Sequence, residues 1–255
     1  MTNLSYGLTD KLVLVTGASR GIGRAVAVAA AVAGAELVIT GRTIGALEEV
    51  DDEIKAAGGK ATIVELDMKD TAAIPRLATA IEGRWGRLDG LVANAGMLPA
   101  LTPVAHLQEK DWDESIAVNL SGQWHLIKAM DPLLRAAPAG RAILVSSGAA
   151  VGSRPFWGPY AAAKAGLEAL GRSWAGESEQ INLRINTLNP GGTATTMRAL
   201  AYPGENQATL PQPEDITPAF LQLLSPDCEH HGALLAAREM LGLTAESRLA
   251  RSRKR

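Results

Sequence analysis

One cysteine, Cys228, stands in the whole 255-residue chain. No disulfide can form within it, so the fold must rest on its core, and this scarcity of thiols fits a reducing compartment. Excess charge is also missing: 25 Lys and Arg against 27 Asp and Glu leave a net charge of −2. That is no electrostatic footprint for nucleic acid. Long apolar runs are absent too. The longest small-apolar stretch, Ala25 to Ala33, falls far short of the roughly 20 residues needed to cross a bilayer. Met1 to Lys11 lacks the apolar centre of a signal peptide. The expectation is a cytoplasmic protein with no membrane or nucleic-acid partner. Metal-ligand spacing is missing as well. His230 and His231 stand side by side, where adjacent strand residues point to opposite faces, and read as solvated; His106 and His125 are solitary, so no metal site is expected.

What the chain does have is alternation. A hydrophobic content of 47% with 20% charged residues allows a large core. Short apolar runs at Leu12–Val15, Glu36–Thr40, Thr62–Leu66, Leu88–Ala93, Arg141–Ser146, Leu183–Leu188 and Ala233–Ala236 read as strands. Between them lie helical patterns. The first places Ile22, Val26, Ala29, Ala30 and Ala33 on one face; the others span Thr43–Ala57, Thr71–Arg84, Asp111–Arg135, Pro159–Glu177 and Glu214–Leu224. Strand–helix alternation predicts a parallel sheet covered on both faces, with ligands beyond the C-terminal strand ends. No internal boundary, repeat or linker interrupts it. One domain is expected over residues 1–237, followed by a frayed basic tail, 238–255, carrying Arg248, Arg251, Arg253, Lys254 and Arg255.

The strand ends carry the chemistry. The first strand runs into Thr16-Gly17-Ala18-Ser19-Arg20-Gly21-Ile22-Gly23, a glycine-rich turn opening a helix. Such a turn brings backbone N–H groups and a helix N-terminus up to a pyrophosphate. No Gly-Lys-Ser/Thr follows, which argues against a nucleoside-triphosphate loop. The second strand ends at Thr40-Gly41-Arg42, without the acid that would hold a ribose 2′-hydroxyl. Arg42, with Arg20 inside the loop, offers guanidinium to a 2′-phosphate instead, which favours NADP over NAD. The third ends at Asp67, an acceptor for an adenine amino group, and the fourth at the small-residue turn Asn94-Ala95-Gly96. The fifth ends at Ser146-Ser147, and the helix after it carries Tyr160 and Lys164 one turn apart on one face. An ammonium beside a phenol is expected to lower the phenol's pKa toward neutrality, suiting it to general acid–base work.

The glycine loop, Asn94-Ala95-Gly96, Asn119, Ser147, Tyr160-x-x-x-Lys164 and Asn189-Pro190-Gly191 occur in the order found in the short-chain dehydrogenase/reductase family, and over about residues 10 to 236 the chain resembles it. Within the family it looks most like a bacterial subgroup, the YciK-like oxidoreductases, on Leu188 to Arg198 and Ala201-Tyr202-Pro203. The resemblance implies an α/β, doubly wound Rossmann fold with a mainly seven-stranded parallel sheet. It also implies hydride transfer between NADP(H) and a small carbonyl or alcohol substrate. By the same resemblance Tyr160 is the proton donor or acceptor, Ser147 holds the substrate oxygen, and Lys164 binds the nicotinamide ribose. Asn119 holds a water linking Lys164 to solvent, and Pro190, Gly191 and Thr193 contact the nicotinamide end. Gly17, Ser19, Arg20, Gly21, Ile22, Gly23, Arg42, Asp67, Asn94, Ala95 and Gly96 complete the cofactor contacts.

Gly148, Phe156, Trp157 and the loop from Thr193 to Leu210 are candidate pocket walls, the loop as a lid. The family's usual Gly-Gly after the last strand is missing, since Ala237-Arg238-Glu239 stands there. A homodimer or homotetramer remains the expectation, with the long apolar helices as the dimer face. Two other readings stay open: an NAD-dependent alcohol dehydrogenase of the same fold, and a non-catalytic NADP-binding protein. Together Asn119, Ser147, Tyr160 and Lys164 argue against the second, because binding alone needs no proton relay.

Overall fold

The sheet runs through the middle of the molecule. The computed structural model describes residues 6–152 and 154–243. Seven strands pair in parallel in the order β3-β2-β1-β4-β5-β6-β7. They are β1 (Leu12–Thr16), β2 (Glu36–Gly41), β3 (Lys60–Glu65), β4 (Gly90–Ala93), β5 (Gly140–Val145), β6 (Leu183–Asn189) and β7 (Leu234–Ala236). The central strands β1, β4 and β5 are buried at every position because both sheet faces are covered. Alternate side chains then serve two cores. Val13, Val15, Leu37 and Ile39 point to one, Leu12, Leu14, Val38 and Leu91 to the other. The first is closed by α1 (Gly21–Val32), α2 (Ile44–Ala56) and α8 (Pro213–Leu224). The second is closed by α3 (Ala73–Trp85), α5 (Gly122–Ala136) and α6 (Gly158–Gly176).

The chain leaves β1 toward β2 on one side, and β4 takes the other side of β1. This reversal opens a crevice past the ends of β1 and β4, where doubly wound sheets bind ligands. Register brings the strand ends level, with Thr16 beside Thr40 and Ala93 beside Leu144.

Four local features differ from the sequence expectation. The expected helix from Asp111 to Arg135 is α4 (Glu109–Ile116), a π turn over Ala117–Ser121, and α5. The wider turn faces Asn119 inward, fully buried. The fourth strand starts at Gly90 rather than Leu88, because the Asp89 carboxylate takes the first N–H of β1: Oδ2 accepts from the Leu12 N–H at 3.0 Å and pairs with Arg87 at 3.2 Å. His231 is not a solvated partner of His230. Its Nδ1 accepts from the Ile185 N–H at 3.2 Å, and Nε2 lies 2.9 Å from the Ala175 carbonyl, so the ring ties β6 to the end of α6. Finally, packing continues past residue 237. A short helix, α9 (Ala237–Met240), follows β7, and Ala237 and Leu243 are buried. Arg248, Arg251, Arg253, Lys254 and Arg255 of the expected tail lie outside the described residues.

Two short elements flank the site, α7 (Thr196–Ala201) and a 3₁₀ turn at Gln207–Thr209. They fall within the segment expected to be a loop, and each is capped by a side chain, Thr195 accepting from the Arg198 N–H and Asn206 from the Ala208 N–H.

Candidate active site

The glycine loop is held from below by β4. Thr16 Oγ1 accepts from the Asn94 and Ala95 N–H groups at 3.1 and 3.0 Å, and Asn94 Nδ2 donates to the Thr16 and Gly17 carbonyls at 3.0 and 3.2 Å. Gly17 has φ +65°, and a Cβ there would lie 2.8 Å from the Ala95 Cα. A Cβ on Gly23 would overlap the Gly17 carbonyl. These two positions therefore accept nothing larger than hydrogen. The N-cap of α1, Arg20, makes no side-chain cap bond, and no acid sits in the first turn. Its N–H groups are left for an anion.

Beside this loop lies a cleft of about 480 Å³. Of the residues singled out from the sequence, it is lined by Gly17, Ser19, Arg20, Gly21, Ile22, Arg42, Asp67, Asn94, Ala95, Gly96, Ser147, Tyr160, Lys164, Pro190, Gly191 and Thr193. Gly23 and Asn119 stand behind the wall. Arg20 and Arg42 form no ion pair among the described residues and meet the cleft with Ser19, which adjoins Gly41 at the end of β2. Asp67 Oδ1 accepts from the Lys69 N–H at 2.9 Å, which fixes the turn after β3.

At the other end, β5 and α6 bring Ser147, Tyr160 and Lys164 together. Tyr160 is buried, and its phenol hydrogen-bonds with the Ser147 hydroxyl. Ser146 is turned away, donating to buried Glu168 Oε1 at 2.5 Å. Lys164 Nζ donates to the Val145 carbonyl at 2.7 Å and lies 5.8 Å from the centroid of the Tyr160 ring. The electrostatics differ from the sequence expectation. Burial pushes the Tyr160 phenol above its ordinary value of 10.0, opposed only by the hydrogen bond with Ser147. The strongly displaced group is Lys164, whose burial brings it down from 10.5 to about 8.

The Asn119 side chain is bonded within the protein. Its Nδ2 donates to the Met97 carbonyl at 2.9 Å and to Ser115 Oγ at 3.2 Å, and its Oδ1 accepts from the Met97 N–H at 3.0 Å. Both amide hydrogens are thus committed to protein, and the side chain clamps the Gly96–Met97 turn against Lys164: a Cβ at Gly96 would lie 2.9 Å from Asn119 Oδ1 and 3.7 Å from Lys164 Nζ.

On the far wall, Trp157 packs edge-on to Tyr160 with centroids 5.7 Å apart and lies 5.8 Å from Tyr202. Phe156 does not line the cleft: it is 51% exposed at φ +75°. Thr193 is buried, its hydroxyl turned back to the Gly191 carbonyl at 3.4 Å. The residue of this segment that meets the glycine loop is Thr195, whose Cγ2 would touch a Cβ at Gly21 at 3.4 Å. Its signal in the sequence is that of a helix N-cap, a threonine just before Thr196–Ala201. Arg154, Arg198 and Arg238 also reach the wall. Nothing in the local sequence marks them. Among the described residues there is no group of three or more His, Cys, Asp or Glu placed for a metal ion, and no helix long and apolar enough to cross a membrane.

A doubly wound sheet with this loop and this Ser–Tyr–Lys constellation defines the short chain dehydrogenases, NAD(P)-dependent oxidoreductases. The model of that family matches residues 11–206, and the chain belongs to it. It is 37% identical over 223 residues to the uncharacterized oxidoreductase YciK of Escherichia coli K12, covering 86% of this chain and 88% of that one. The 0.95 Å structure of yciK from E. coli superposes with a TM-score of 0.88 at 35% identity, over 92% of this chain and 97% of that chain. A chain from Escherichia coli CFT073, assigned to the short chain dehydrogenases and crystallised with NADPH, superposes with a TM-score of 0.88 at 35% identity, over 92% and 99% of the two chains.

Proposed function

We propose that this chain is an NADPH-dependent carbonyl reductase, reversible toward the alcohol, acting in the cytoplasm on a small molecule. The observation that carries this reading is the meeting of Ser147, Tyr160 and Lys164 in the same cleft as the glycine loop. The loop fits a dinucleotide because Gly17 and Gly23 let its backbone fold tightly against Ala95 and itself, and the helix behind it is uncapped. Arg20 and Arg42 would take a 2′-phosphate between them. Gly96, Pro190, Gly191 and Thr193 would border the nicotinamide end, and Thr195 the glycine loop. When bound, the nicotinamide supplies or accepts the hydride.

The protein's share is proton handling and positioning. Tyr160, kept neutral by burial, is in the correct form to donate its proton to a carbonyl oxygen at neutral pH. The Ser147 hydroxyl holds the same oxygen and stabilises the charge growing on it. Lys164, at about 8, is the group closest to neutrality and returns a proton to the phenol. Asn119 keeps the Gly96–Met97 turn against Lys164 and so fixes where the ammonium sits. Trp157 excludes water from the reacting face.

Tyr160→Phe tests the reading. NADPH binding, followed by fluorescence, is expected within about twofold of wild type. Turnover on a panel of ketones, aldehydes and quinones, followed at the nicotinamide absorbance, is expected to fall by about 10²-fold or more. Near-normal turnover in the variant overturns the role of Tyr160.

A further inference from the structure

Arg238 opens the α9 turn, just past the last strand, and the cleft described above explains only its position. Its aliphatic stem lies across Gly191, so closely that a Cβ on residue 191 would overlap Cδ and lie 3.2 Å from Cγ. Gly191 itself sits at φ +74°. The parallel pairing of β6 and β7 therefore lays the arginine over a residue that must be glycine, and brings its head group to the cleft wall with Gly191, Thr195 and Arg198. There Nε and Nη2 are sealed from solvent and meet no acceptor among the described residues.

A guanidinium has no acceptor atoms and does not give up its charge in proteins. Sealing part of it away without a partner is costly unless an anion completes it. No described residue provides one here. Asp67 is the only carboxylate residue among those lining the cleft, and it stands after β3, on the far side of β1 from β6 and β7. The neighbouring Arg198 is taken by Glu205, with bonds of 2.6 and 2.7 Å. The cleft wall is thus strongly cationic, with Arg20, Arg42, Arg154, Lys164, Arg198 and Arg238 upon it.

We propose that Arg238 is an oxyanion-binding residue of the cleft, its guanidinium closing on a phosphate or carboxylate group held beyond Gly191. The proposal rests on the reading of the cleft as a dinucleotide and substrate site. The anion then has two sources: the pyrophosphate of the dinucleotide or an acid group on the substrate. Both need the same fork of N–H donors, and neither is used by any residue assigned so far on this wall.

The test uses Arg238→Met, whose unbranched side chain keeps the stem packed over Gly191, and Arg238→Lys, which keeps the charge but loses the fork. Thermal melts of the full chain confirm that each variant is folded. One arm measures the dissociation constants of NADPH and of adenosine 2′-phosphate by fluorescence titration and calorimetry. The other measures KM for oxo acids against their methyl esters. If the pyrophosphate is the anion, NADPH binding weakens roughly tenfold to a hundredfold in Arg238→Met and adenosine 2′-phosphate is unaffected. If a substrate acid is the anion, NADPH binding holds and the KM of the oxo acids alone rises by that factor. Arg238→Lys is expected between wild type and Arg238→Met in the affected arm, and it carries the test alone if Arg238→Met fails to fold. Changes below twofold in both arms overturn the proposal and leave Arg238 a packing residue. Failure of the wild type to bind NADPH overturns the dinucleotide reading instead, so the two failures are distinguishable.

Discussion

Lys164 is the group whose burial should be felt in stability as well as in turnover. It is 2% exposed, and burial alone brings its ammonium from 10.5 to about 8. That displacement corresponds to roughly 3 kcal/mol held against the folded state at neutral pH. The sign follows from the direction. The folded value lies below the unfolded one, so between about pH 8 and 10.5 the unfolded chain keeps a proton that the folded chain has released. Stability from this group therefore rises with pH in that window. From pH 7 to pH 9.5 the wild type should gain about 2 kcal/mol from Lys164 alone. Lys164→Met carries no such group. At pH 7 it escapes the burial penalty but loses the bond to the Val145 carbonyl, worth about 1.5–3 kcal/mol for a charged donor. The variant should come out about 0–2 kcal/mol more stable than wild type at pH 7 while losing turnover. More decisively, its advantage should shrink by about 2 kcal/mol by pH 9.5. Tyr160 titrates above its ordinary value in both proteins and cancels in the comparison. Urea unfolding followed by tryptophan fluorescence, at fixed ionic strength from pH 7 to 9.5, reads the difference directly. Parallel stability curves for the two proteins would refute the reasoning, because the missing proton has no other place to appear.

Arg42→Ala, alone and with Arg20→Ala, should weaken NADPH binding about tenfold or more and leave NADH binding nearly unchanged, as read by fluorescence titration. Arg141 is 2% exposed and donates to the Gly140 and Ser225 carbonyls at 2.9 Å and to the Pro226 carbonyl, joining β5 to the turn after α8. Arg141→Met should therefore cost about 2–5 kcal/mol by leaving those carbonyls unpaired, with a melting point lower by roughly 2 °C per kcal/mol in calorimetry. Trp112 and Trp124, 44% and 45% exposed on α4 and α5, would lie within the expected dimer face, so Trp124→Glu should lower the mass seen by light scattering.

The sheet was legible because buried parallel strands and amphipathic helices have different periods, and each element here is long enough to show its own. Strand order is not written in any one strand: the seat of β4 against β1 comes from helices filling both faces. The short helices α7 and α9 were too brief for a period, and only α7 has a capping side chain, Thr195, as a local signal. Leu88 and Asp89 read as strand because nothing local shows that the Asp89 carboxylate ends the ladder. The π turn escaped for a related reason. One widened turn leaves the apolar pattern of Asp111–Arg135 nearly intact while swinging Asn119 into a clamp on Met97.

The site divides along the same line. Which side chains face the cleft could be read from strand ends and helix spacing, since those follow from the path of the chain. Their ionisation could not, because it depends on what covers them. Spacing places Lys164 one turn from Tyr160 and suggests a cation acting on a phenol. Burial of both reverses the emphasis: the phenol stays firmly protonated and the ammonium is the group brought near neutrality. A chain in which the tyrosine gives the proton and the lysine restores it needs this order of acidities, because the donor must hold its proton until the carbonyl oxygen gains charge. The same dependence on covering explains Arg238. Its sequence neighbours say only that it follows a strand, and its meaning comes from β6 and Gly191 lying beneath it.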